Sequence, residues 1–351
     1  NGKMRLLGIP TVVDRLVQQA INQVLTPIYE NQFSKTSYGF RPKRGCHDAL
    51  RGAQKIINEG YIYVVDLDLE RFFDTVSHSK LIEILSRTIK DGRVVSLIHK
   101  YLRSGVMNKG LFEASEEGTP QGGPLSPLLS NIMLNELDKE LERRGLPFVR
   151  YADDSMIFCK SKRAAMRVKE SITRFIENVL YLKVNKEKTA VSYVRGVKYL
   201  GYSFYVMKGK CQLTVHPKSK ANMKSKLKGL TSRSNGWGYA NRKQKLKEYI
   251  RGWVGYYHLA NMKRFLLETD EWLRRRIRMC IWKAWKKVKT KVANLIRCGI
   301  DKYKAYEWGN TRKGYWHIAN SPILAIAISN NNLRAAGYAT LMGTYLEWHP
   351  K

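Results

Sequence analysis

The chain has 351 residues, about twice the length of a common single domain, so its length predicts two or three packed units. Lys and Arg number 63 against 29 Asp and Glu, and the net charge of +34 predicts a polyanionic partner, of which nucleic acid is the first candidate. The sequence shows neither an apolar run long enough to span a membrane nor a signal-peptide pattern, so we expect no membrane partner and a cytoplasmic protein.

The five cysteines are scattered and form neither a C-x-x-C pair nor a cluster with histidine at metal-ligand spacing. We expect them to be reduced and mostly buried, with no disulfide and no structural zinc. They are Cys46, Cys159, Cys211, Cys280 and Cys298.

The first hundred residues alternate between helical and extended patterns. Apolar residues recur at helical spacing after Pro10, which predicts one amphipathic helix. Its apolar residues are Val13, Leu16, Val17, Ala20, Ile21, Val24 and Leu25. After a Gly- and Ser-rich joint, SYGFRPKRG, a second helix is predicted over about His47–Asn58, followed by the strand YIYVVDLDL, which ends on acids. Two more helices are predicted near Leu81–Lys90 and Val94–Arg103.

The middle of the chain begins with a segment dense in Gly and Pro, EEGTPQGGPLSP, which excludes regular structure. A long amphipathic helix follows, with Gly145 as its C-terminal cap. FVRYADDSMIFC predicts two short strands that meet at a polar turn holding Asp153 and Asp154. One more helix, near Lys162–Val179, and the strands KYLGYSFYV and CQLTV close an α+β region at about residue 215.

The region from 216 to 290 differs in composition. It holds 21 Lys or Arg against 4 Asp or Glu, an excess of 17 that is half of the whole chain's net charge. Its pattern is helical, and aromatic residues are interleaved with the basic ones. Such aromatics either pack in the core of a basic helical bundle or stack on nucleic-acid bases. The last sixty residues carry little pattern of their own.

Three carboxylates form the candidate chemical site. Asp68 ends one predicted strand, and Asp153 and Asp154 lie at the tip of a predicted hairpin that can pair beside it. Converging carboxylates repel one another unless cations neutralise them, and oxygen-only ligands select Mg²⁺, with Mn²⁺ able to substitute. Two such ions serve nucleotidyl transfer. A Y-x-D-D tetrapeptide alone, however, is also an ordinary solvated turn.

Four blocks in the same order make the chain resemble the reverse transcriptase family over nearly its full length. They are DLERFFD at Asp68–Asp74, TPQGGPLSP at Thr119–Pro127, YADD at Tyr151–Asp154 and LKVNKEKT at Leu182–Thr189. YLGYSF at Tyr199–Phe204 resembles the family's primer-grip strand. Within the family, GIPTVVDRLVQQAI, SYGFRPKRG, PQGGPLSPLLSNI and VRYADD resemble proteins encoded by bacterial group II introns.

The resemblance implies a role for each matching residue. Asp68, Asp153 and Asp154 are expected to be catalytic metal ligands, with the Leu69 carbonyl completing one metal shell, while Asp66 is a neighbouring acid on the same strand face. Phe73 matches the steric gate that rejects a ribose 2′-hydroxyl, although a core phenylalanine suits Phe72 better. The nucleotide-contacting positions are Arg5, Arg71, Phe72, Phe73, Gln121, Gly122 and Lys188, with Lys186 as the alternative pyrophosphate lysine.

The resemblance also implies the architecture and the partners. We expect a right-hand polymerase with fingers and palm over 1–215, a basic helical thumb or maturase domain over 216–290, and a DNA-binding tail over 291–351 that contains GNTRKGYW. Arg274, Arg275 and Arg276 are expected to bind nucleic acid, and the partners are template and intron RNA, a DNA primer or target, and deoxynucleotides. Neighbours on a helix point about 100° apart, so not all three arginines can face RNA, and Arg275 could instead pair with a palm acid or cover apolar surface with its stem. The chain starts inside the first fingers block, so the family's N-terminal extension and a second fingers lysine are absent from this sequence. The lack of endonuclease metal motifs suggests the shorter, endonuclease-lacking group IIC-like subclass.

Three alternatives remain open at this stage. The chain could be a catalytically silent RNA-binding splicing factor, although its three carboxylates and Phe73 argue against that. It could be a reverse transcriptase of retron, CRISPR-associated or domesticated repair type. A generic basic nucleic-acid chaperone explains the charge but leaves the ordered acidic blocks unexplained.

Overall fold

The computed structural model describes residues 8–108, 111–113, 115–119 and 122–349. The chain separates between Gln212 and Leu213 into two units, close to the boundary predicted at residue 215. The first unit is α+β. The second unit begins with the last residues of a strand and is otherwise all-α, and this combination is the predicted fold class. The further boundary between residues 290 and 291 stays a prediction, because the second unit is continuous across it.

Helices and strands are interspersed along the first unit. The helices are α1 (Val12–Glu30), α2 (Cys46–Asn58), α3 (Phe72–Thr75), α4 (His78–Thr88), α5 (Gly92–Leu102), α6 (Ser126–Arg143) and α7 (Lys162–Asn178). The strands are β1 (Tyr63–Leu67), β2 (Val106–Asn108), β3 (Leu111–Glu113), β4 (Phe148–Tyr151), β5 (Asp154–Cys159), β6 (Ala190–Tyr193), β7 (Tyr202–Met207) and β8 (Lys210–Val215). A short 3₁₀ helix occupies Val194–Gly196.

Side-chain caps determine where several helices begin. Thr11 accepts the Asp14 N–H at the start of α1, so this helix begins one residue after Thr11 rather than at Pro10. Ser77 caps α4 and Ser161 caps α7 in the same way. Each hydroxyl satisfies a backbone N–H that the first helical turn leaves without a partner.

A four-stranded antiparallel sheet, in the order β4-β5-β1-β6, carries the first unit. The central pair aligns Leu67 with Ser155 and Val65 with Ile157. Val65, Leu67 and Ile157 join one large apolar core together with residues of α4, α6 and α7. Because this core covers one face of the sheet, the register of β1 against β5 is strongly specified.

Helix α6 is the most deeply buried helix of the first unit. Its buried face carries leucines, as the apolar stripe predicted, and also the polar residues Asn131, Asn135 and Asp138. Helix α1 shows the opposite departure. Gln18, Leu25 and Tyr29 are its buried residues, whereas most of the predicted apolar stripe, from Val13 to Val24, is exposed. Helical periodicity was therefore right for both helices, but it did not identify the buried face of α1.

The second unit is a bundle of helices that follows the end of β8. They are α8 (Pro217–Leu230), α9 (Tyr239–Tyr257), α10 (Lys263–Ala284), α11 (Val288–Arg297), α12 (Lys302–Gly309), α13 (Tyr315–Ile318), α14 (Pro322–Ala327), α15 (Asn330–Ala335) and α16 (Leu341–Glu347). Helix α10 packs against α8, α13 and α16. In the described part of the chain, every helix is too short or too polar to cross a bilayer.

A buried carboxylate fastens the last helix to α10. Asp270 is only 3% exposed, and its two oxygens accept the N–H groups of Leu341 and Met342 at 2.8 and 2.9 Å. These are first-turn donors of α16, where a negative charge also complements the helix dipole. Burial raises the pKa of Asp270, and the two backbone donors oppose that rise. The first turn of α16 thus depends on a residue of α10.

We predict that Asp270→Ala lowers the free energy of unfolding of the second unit by about 2–3 kcal/mol, because two buried N–H groups lose their acceptor. Thermal or urea unfolding measures this loss. Glu271→Ala is the matched control: Glu271 is the exposed neighbour, and its replacement should change stability by less than about 0.5 kcal/mol. Equal losses for the two variants would contradict the capping role of Asp270.

Candidate active site

The turn between β4 and β5 presents two acids. Tyr151 pairs with Asp154, so Ala152 and Asp153 alone form the turn, as the predicted hairpin required. Ala152 has a φ of 56°, a left-handed conformation that is uncommon for a residue with a Cβ. Asp153 is half-buried, and Asp154 lies at the exposed start of β5. The turn therefore holds an unfavourable backbone conformation immediately before the first acid.

Asp68 lies beside this turn because of strand pairing. The β1–β5 register ends with Leu67 aligned with Ser155, the residues next to Asp68 and Asp154, and these two acids line the same cavity. A second segment of chain holds the backbone of Asp68: its carbonyl accepts the Asn185 N–H at 2.9 Å, and its N–H donates to the Thr189 hydroxyl at 3.2 Å. Two blocks distant in sequence, DLERFFD and LKVNKEKT, therefore meet at one residue.

A cavity of about 270 Å³ opens at this end of the sheet. Its lining is Asp66, Leu67, Asp68, Asp154, Lys188, Lys198, Leu200 and Gly201. Leu200 and Gly201 both have positive φ and form a tight turn between Tyr199 and Tyr202, whose backbones exchange hydrogen bonds at 3.0 and 2.9 Å. The tip of the YLGYSF block thus lines the cavity together with the acids.

Like charges alter the protonation of these acids. The pKa of Asp66 is raised from 3.8 to about 6 by partial burial and by repulsion from Asp154 and Asp68, while Lys198 opposes the rise. The pKa of Asp154 is also raised, by desolvation first and then by Asp153 and Asp68. The carboxylates of Asp66, Asp68, Asp153 and Asp154 are thus near enough for their charges to repel one another.

Lys188 supplies positive charge at the same place. Its Nζ lies 3.2 Å from Asp68 Oδ1 and 3.4 Å from Oδ2, although the lysine side chain is 66% exposed. Lys186 instead points to Glu177, at 3.8 Å. Of the two lysines that the sequence left open, the structure brings only Lys188 to the acids. An exposed ion pair of this type contributes little to stability, so the contact is easily exchanged.

In the described part of the chain, no three side chains of His, Cys, Asp or Glu are grouped closely enough to hold a metal ion as they stand. The cavity lining includes Asp68 and Asp154 but not Asp153. The three acids that the sequence singled out are thus neighbours on adjoining backbone segments, with Lys188 in contact with one of them.

The nucleotide-contacting positions fall into separate groups. Arg5 and Gln121 lie outside the described residues. Phe72 belongs to the apolar core at 3% exposure, so its assignment to nucleotide contact is corrected, since a covered ring presents no surface to a ligand. Phe73 is half-buried, and its carbonyl accepts the Thr119 N–H at 2.6 Å, which joins it to the TPQGGPLSP block. Arg71 is exposed at the start of α3.

The backbone at position 122 of the TPQGGPLSP block requires a glycine. Its φ is 119°, and a Cβ on it would overlap the carbonyl oxygen of Gly8. Only glycine fits a backbone that is both left-handed in φ and in contact with another backbone. Leu69, whose carbonyl was assigned to a metal shell, is buried and bridges to Val184.

The three consecutive arginines of α10 have different surroundings. Arg275 donates to the Trp316 carbonyl at 2.9 Å, and its guanidinium lies 3.8 Å from the centre of the Trp316 ring. Arg276 donates to the Thr231 hydroxyl at 2.6 Å and to two backbone carbonyls. Arg274 makes no hydrogen bond or ion pair within residues 122–349 and lines a groove of about 800 Å³ on the second unit. Two of the three guanidinium groups therefore already have partners within the protein: Arg275 contacts the Trp316 ring, and Arg276 donates to backbone carbonyls.

A buried polar group next to the acidic turn was not predicted from the sequence. Arg150, Asp138 and Asn131 form it, and all three are almost completely covered. A charged residue inside the apolar strand FVRY was the available signal, because such a residue is buried only when it is paired. Lys198 was also missed, although it stands directly before the YLGYSF block.

Comparison with known proteins identifies families for both units. The family model described as reverse transcriptase (RNA-dependent DNA polymerase) matches residues 1–204. The model described as group II intron, maturase-specific domain matches residues 220–299. A telomerase structure from Candida tropicalis aligns with 97% of this chain and 61% of its own at a TM-score of 0.45 and 14% identity.

Two curated relatives match over part of their length. Protein YkfC of Escherichia coli strain K12 is 36% identical over 241 residues, which cover 58% of this chain and 63% of that protein. The group II intron-encoded protein LtrA of Lactococcus lactis is 32% identical over 269 residues, which cover 58% of this chain and 45% of that protein. The chain thus spans between about half and two thirds of these relatives. It belongs to the reverse transcriptase family and carries a group II intron maturase-specific domain.

Proposed function

We propose that the chain is an RNA-directed DNA polymerase that copies RNA into cDNA by two-metal nucleotidyl transfer, and that it binds intron RNA to assist splicing and mobility. The observation that carries this proposal is that Asp68 and Asp154 line one cavity at the end of the sheet, with Asp153 next to Asp154 in the turn, in a member of the reverse transcriptase family. Acids of a solvated turn have no reason to lie near another acid, since like charges repel.

The donor set fits a pair of Mg²⁺ ions. Asp68 and Asp154 offer carboxylate oxygens only. Desolvation first, and then repulsion from Asp153 and Asp68, raises the pKa of Asp154, and positive charge relieves the repulsive part. Lys188 provides one such charge beside Asp68. When bound, two hard cations activate the attacking 3′-hydroxyl and neutralise the leaving pyrophosphate. Mn²⁺ has the same ligand preference and can substitute.

Five other residues of the first unit are proposed to bind and select the nucleotide. Lys188, whose contact with Asp68 is exposed and weak, is free to turn its ammonium to a phosphate oxygen. Phe73, joined by its carbonyl to Thr119, can present its ring edge where a ribose 2′-hydroxyl would clash. Arg71, Gly122 and the Leu69 carbonyl complete this proposed site.

RNA binding is proposed mainly for the second unit. It contains the whole cationic stretch from 216 to 290, and its aromatics have mixed surroundings: Trp282 and Trp285 are buried, whereas Tyr239 is exposed. Buried rings pack the core, so stacking on bases is proposed only for those with accessible faces. Arg274 is the proposed phosphate contact among the three arginines of α10, because its guanidinium has no competing hydrogen bond within residues 122–349.

We predict that Asp153→Asn lowers primer extension on an RNA template to below about one per cent of the parent rate, because one carboxylate charge of the metal site is lost. Glu170→Gln, an exposed acid on α7, is the matched control and should extend normally. Extension by Asp153→Asn within tenfold of the parent would remove the metal assignment. If the parent protein and the Glu170→Gln control also fail to extend the primer, the silent splicing factor is favoured.

We predict a pH-dependent effect of Asp66→Asn in the presence of EDTA. Because the pKa of Asp66 is raised to about 6 on folding, its contribution to stability is complete below its unfolded pKa of 3.8 and is lost as the pH rises through 6. The substitution should therefore raise the free energy of unfolding at about pH 8 by up to about 3 kcal/mol, with the gain shrinking toward pH 4. Denaturant unfolding at several pH values measures it. A gain independent of pH would contradict the charge repulsion.

We predict that Arg274→Gln weakens binding to structured RNA and reduces the log–log salt slope by about 0.7–0.9. Arg276→Gln is the matched control. Because the Arg276 guanidinium already bonds to Thr231 and to the Lys228 carbonyl, its loss should lower thermal stability and leave the slope unchanged. Asp153→Asn should retain the parent's RNA affinity. Equal slopes for the parent and Arg274→Gln would reject the assignment of Arg274.

A further inference from the structure

A buried ion pair lies beneath the turn that carries Asp153. Arg150 Nη2 donates to Asp138 Oδ2 at 2.6 Å, and Arg150 Nε donates to Oδ1 at 2.8 Å. Both side chains are 0% exposed. Two parallel hydrogen bonds between a guanidinium and a carboxylate fix orientation as well as distance. The pair therefore joins the strand before the turn, β4, rigidly to the helix α6.

Stability alone does not account for this pair. Removing two charges from water is costly, and well-packed apolar residues in the same place often stabilise a fold equally well or better. Burial raises the pKa of Asp138, and its interaction with Arg150 opposes that rise. An apolar pair, however, could not donate hydrogen bonds to the turn that carries Asp153.

The Arg150 guanidinium also bonds to the turn itself. The remaining Arg150 nitrogen, Nη1, donates to the carbonyl of Ala152 at 2.9 Å and to Asn131 Oδ1 at 3.0 Å. Ala152 is the residue in the left-handed conformation, and Asp153 follows it directly. The guanidinium thus bonds to the one peptide unit whose orientation determines how Asp153 leaves the turn.

The opposite side of the turn is confined by backbone. A Cβ on Gly39 would overlap the Ala152 nitrogen, so the two backbones are in contact there. The amide of Asn131 donates to the Gly39 carbonyl at 2.9 Å, and the Tyr38 N–H donates to the Arg150 carbonyl at 2.9 Å. One polar group therefore bonds both to the turn and to the segment that confines it.

From this arrangement we propose that Arg150, held by Asp138 and Asn131, is a positioning residue that sets where Asp153 and Asp154 stand relative to Asp68. The inference rests on the proposed polymerase function and adds to it. Arg150 itself touches no reacting atom, since it is fully buried. It acts through the Ala152 carbonyl and the Tyr151–Asp154 pairing that closes the turn.

The decisive variant replaces the pair by apolar residues, Arg150→Met with Asp138→Leu. It removes the bonds to the turn without leaving a buried charge unpaired. We expect its unfolding midpoint to stay at or above that of the parent. Mn²⁺ binding, measured by electron paramagnetic resonance of the free ion, should weaken about tenfold. The kcat for extension on RNA should fall about 100-fold, with the KM for the deoxynucleotide within about twofold.

Two further variants separate positioning from stability. Leu141→Ala removes a fully buried side chain of the same helix, so it should lower the unfolding midpoint while leaving Mn²⁺ affinity and kcat within about twofold. Arg150→Lys keeps the charge against Asp138 but replaces the planar fork by one ammonium, so its losses should be intermediate. Asp153→Asn identifies which part of the Mn²⁺ binding belongs to the acids.

The outcomes distinguish the two proposals. Parent-like Mn²⁺ affinity and kcat in the apolar double variant would overturn the positioning role, as would equal losses in Leu141→Ala. If the double variant does not fold, Arg150→Lys with parent-like affinity and kcat would overturn it. A parent protein that extends no primer, combined with weaker Mn²⁺ binding in the double variant, would reject the polymerase function and support the positioning role.

Discussion

The pairing of β1 with β5 keeps the repelling carboxylates of Asp68 and Asp154 close together at one end of the sheet. In this register the two acids line one cavity, and a shift of one residue would turn Val65 and Leu67 out of the core. Core burial therefore maintains a charge arrangement that is unfavourable in itself. Desolvation first, and then repulsion between the acids, raises the pKa values of Asp66 and Asp154, and the charge of Lys188 opposes the rise at Asp154.

The same constraint explains why buried polar groups surround the turn. A tight turn with a left-handed Ala152 is strained, and each of its neighbours restricts it: the Arg150 guanidinium, the Gly39 backbone and, through hydrogen bonds, Asn131. Strained backbone persists only where the surrounding structure determines it several times over. The polar side chains on the buried face of α6 are consistent with that requirement, since leucines alone would fill the space without orienting a carbonyl.

Much of this could be predicted from the sequence, and the failures have physical reasons. The spacing of apolar residues and the residues typical of helix ends predicted most helices of the first unit. The polar residues between two apolar runs predicted the hairpin that carries Asp153 and Asp154. The short strand β6 and the hairpin β2–β3 were not predicted, because three or four residues carry too little periodicity. Phe72 and Phe73 are adjacent and identical in type, so only their environment separates the core ring from the accessible one.

Charge counting reached a similar limit in the second unit. The sequence located the excess of basic residues and identified a run of three arginines of which not all can face RNA, but it did not show which of the three is available to nucleic acid. Successive residues of a helix point about 100° apart, so three neighbours necessarily face three environments. In α10 one of them stacks on Trp316, one bonds to backbone carbonyls, and Arg274 lines an open groove. A basic surface is therefore smaller than its composition suggests, because part of the positive charge of this unit holds its own helices together.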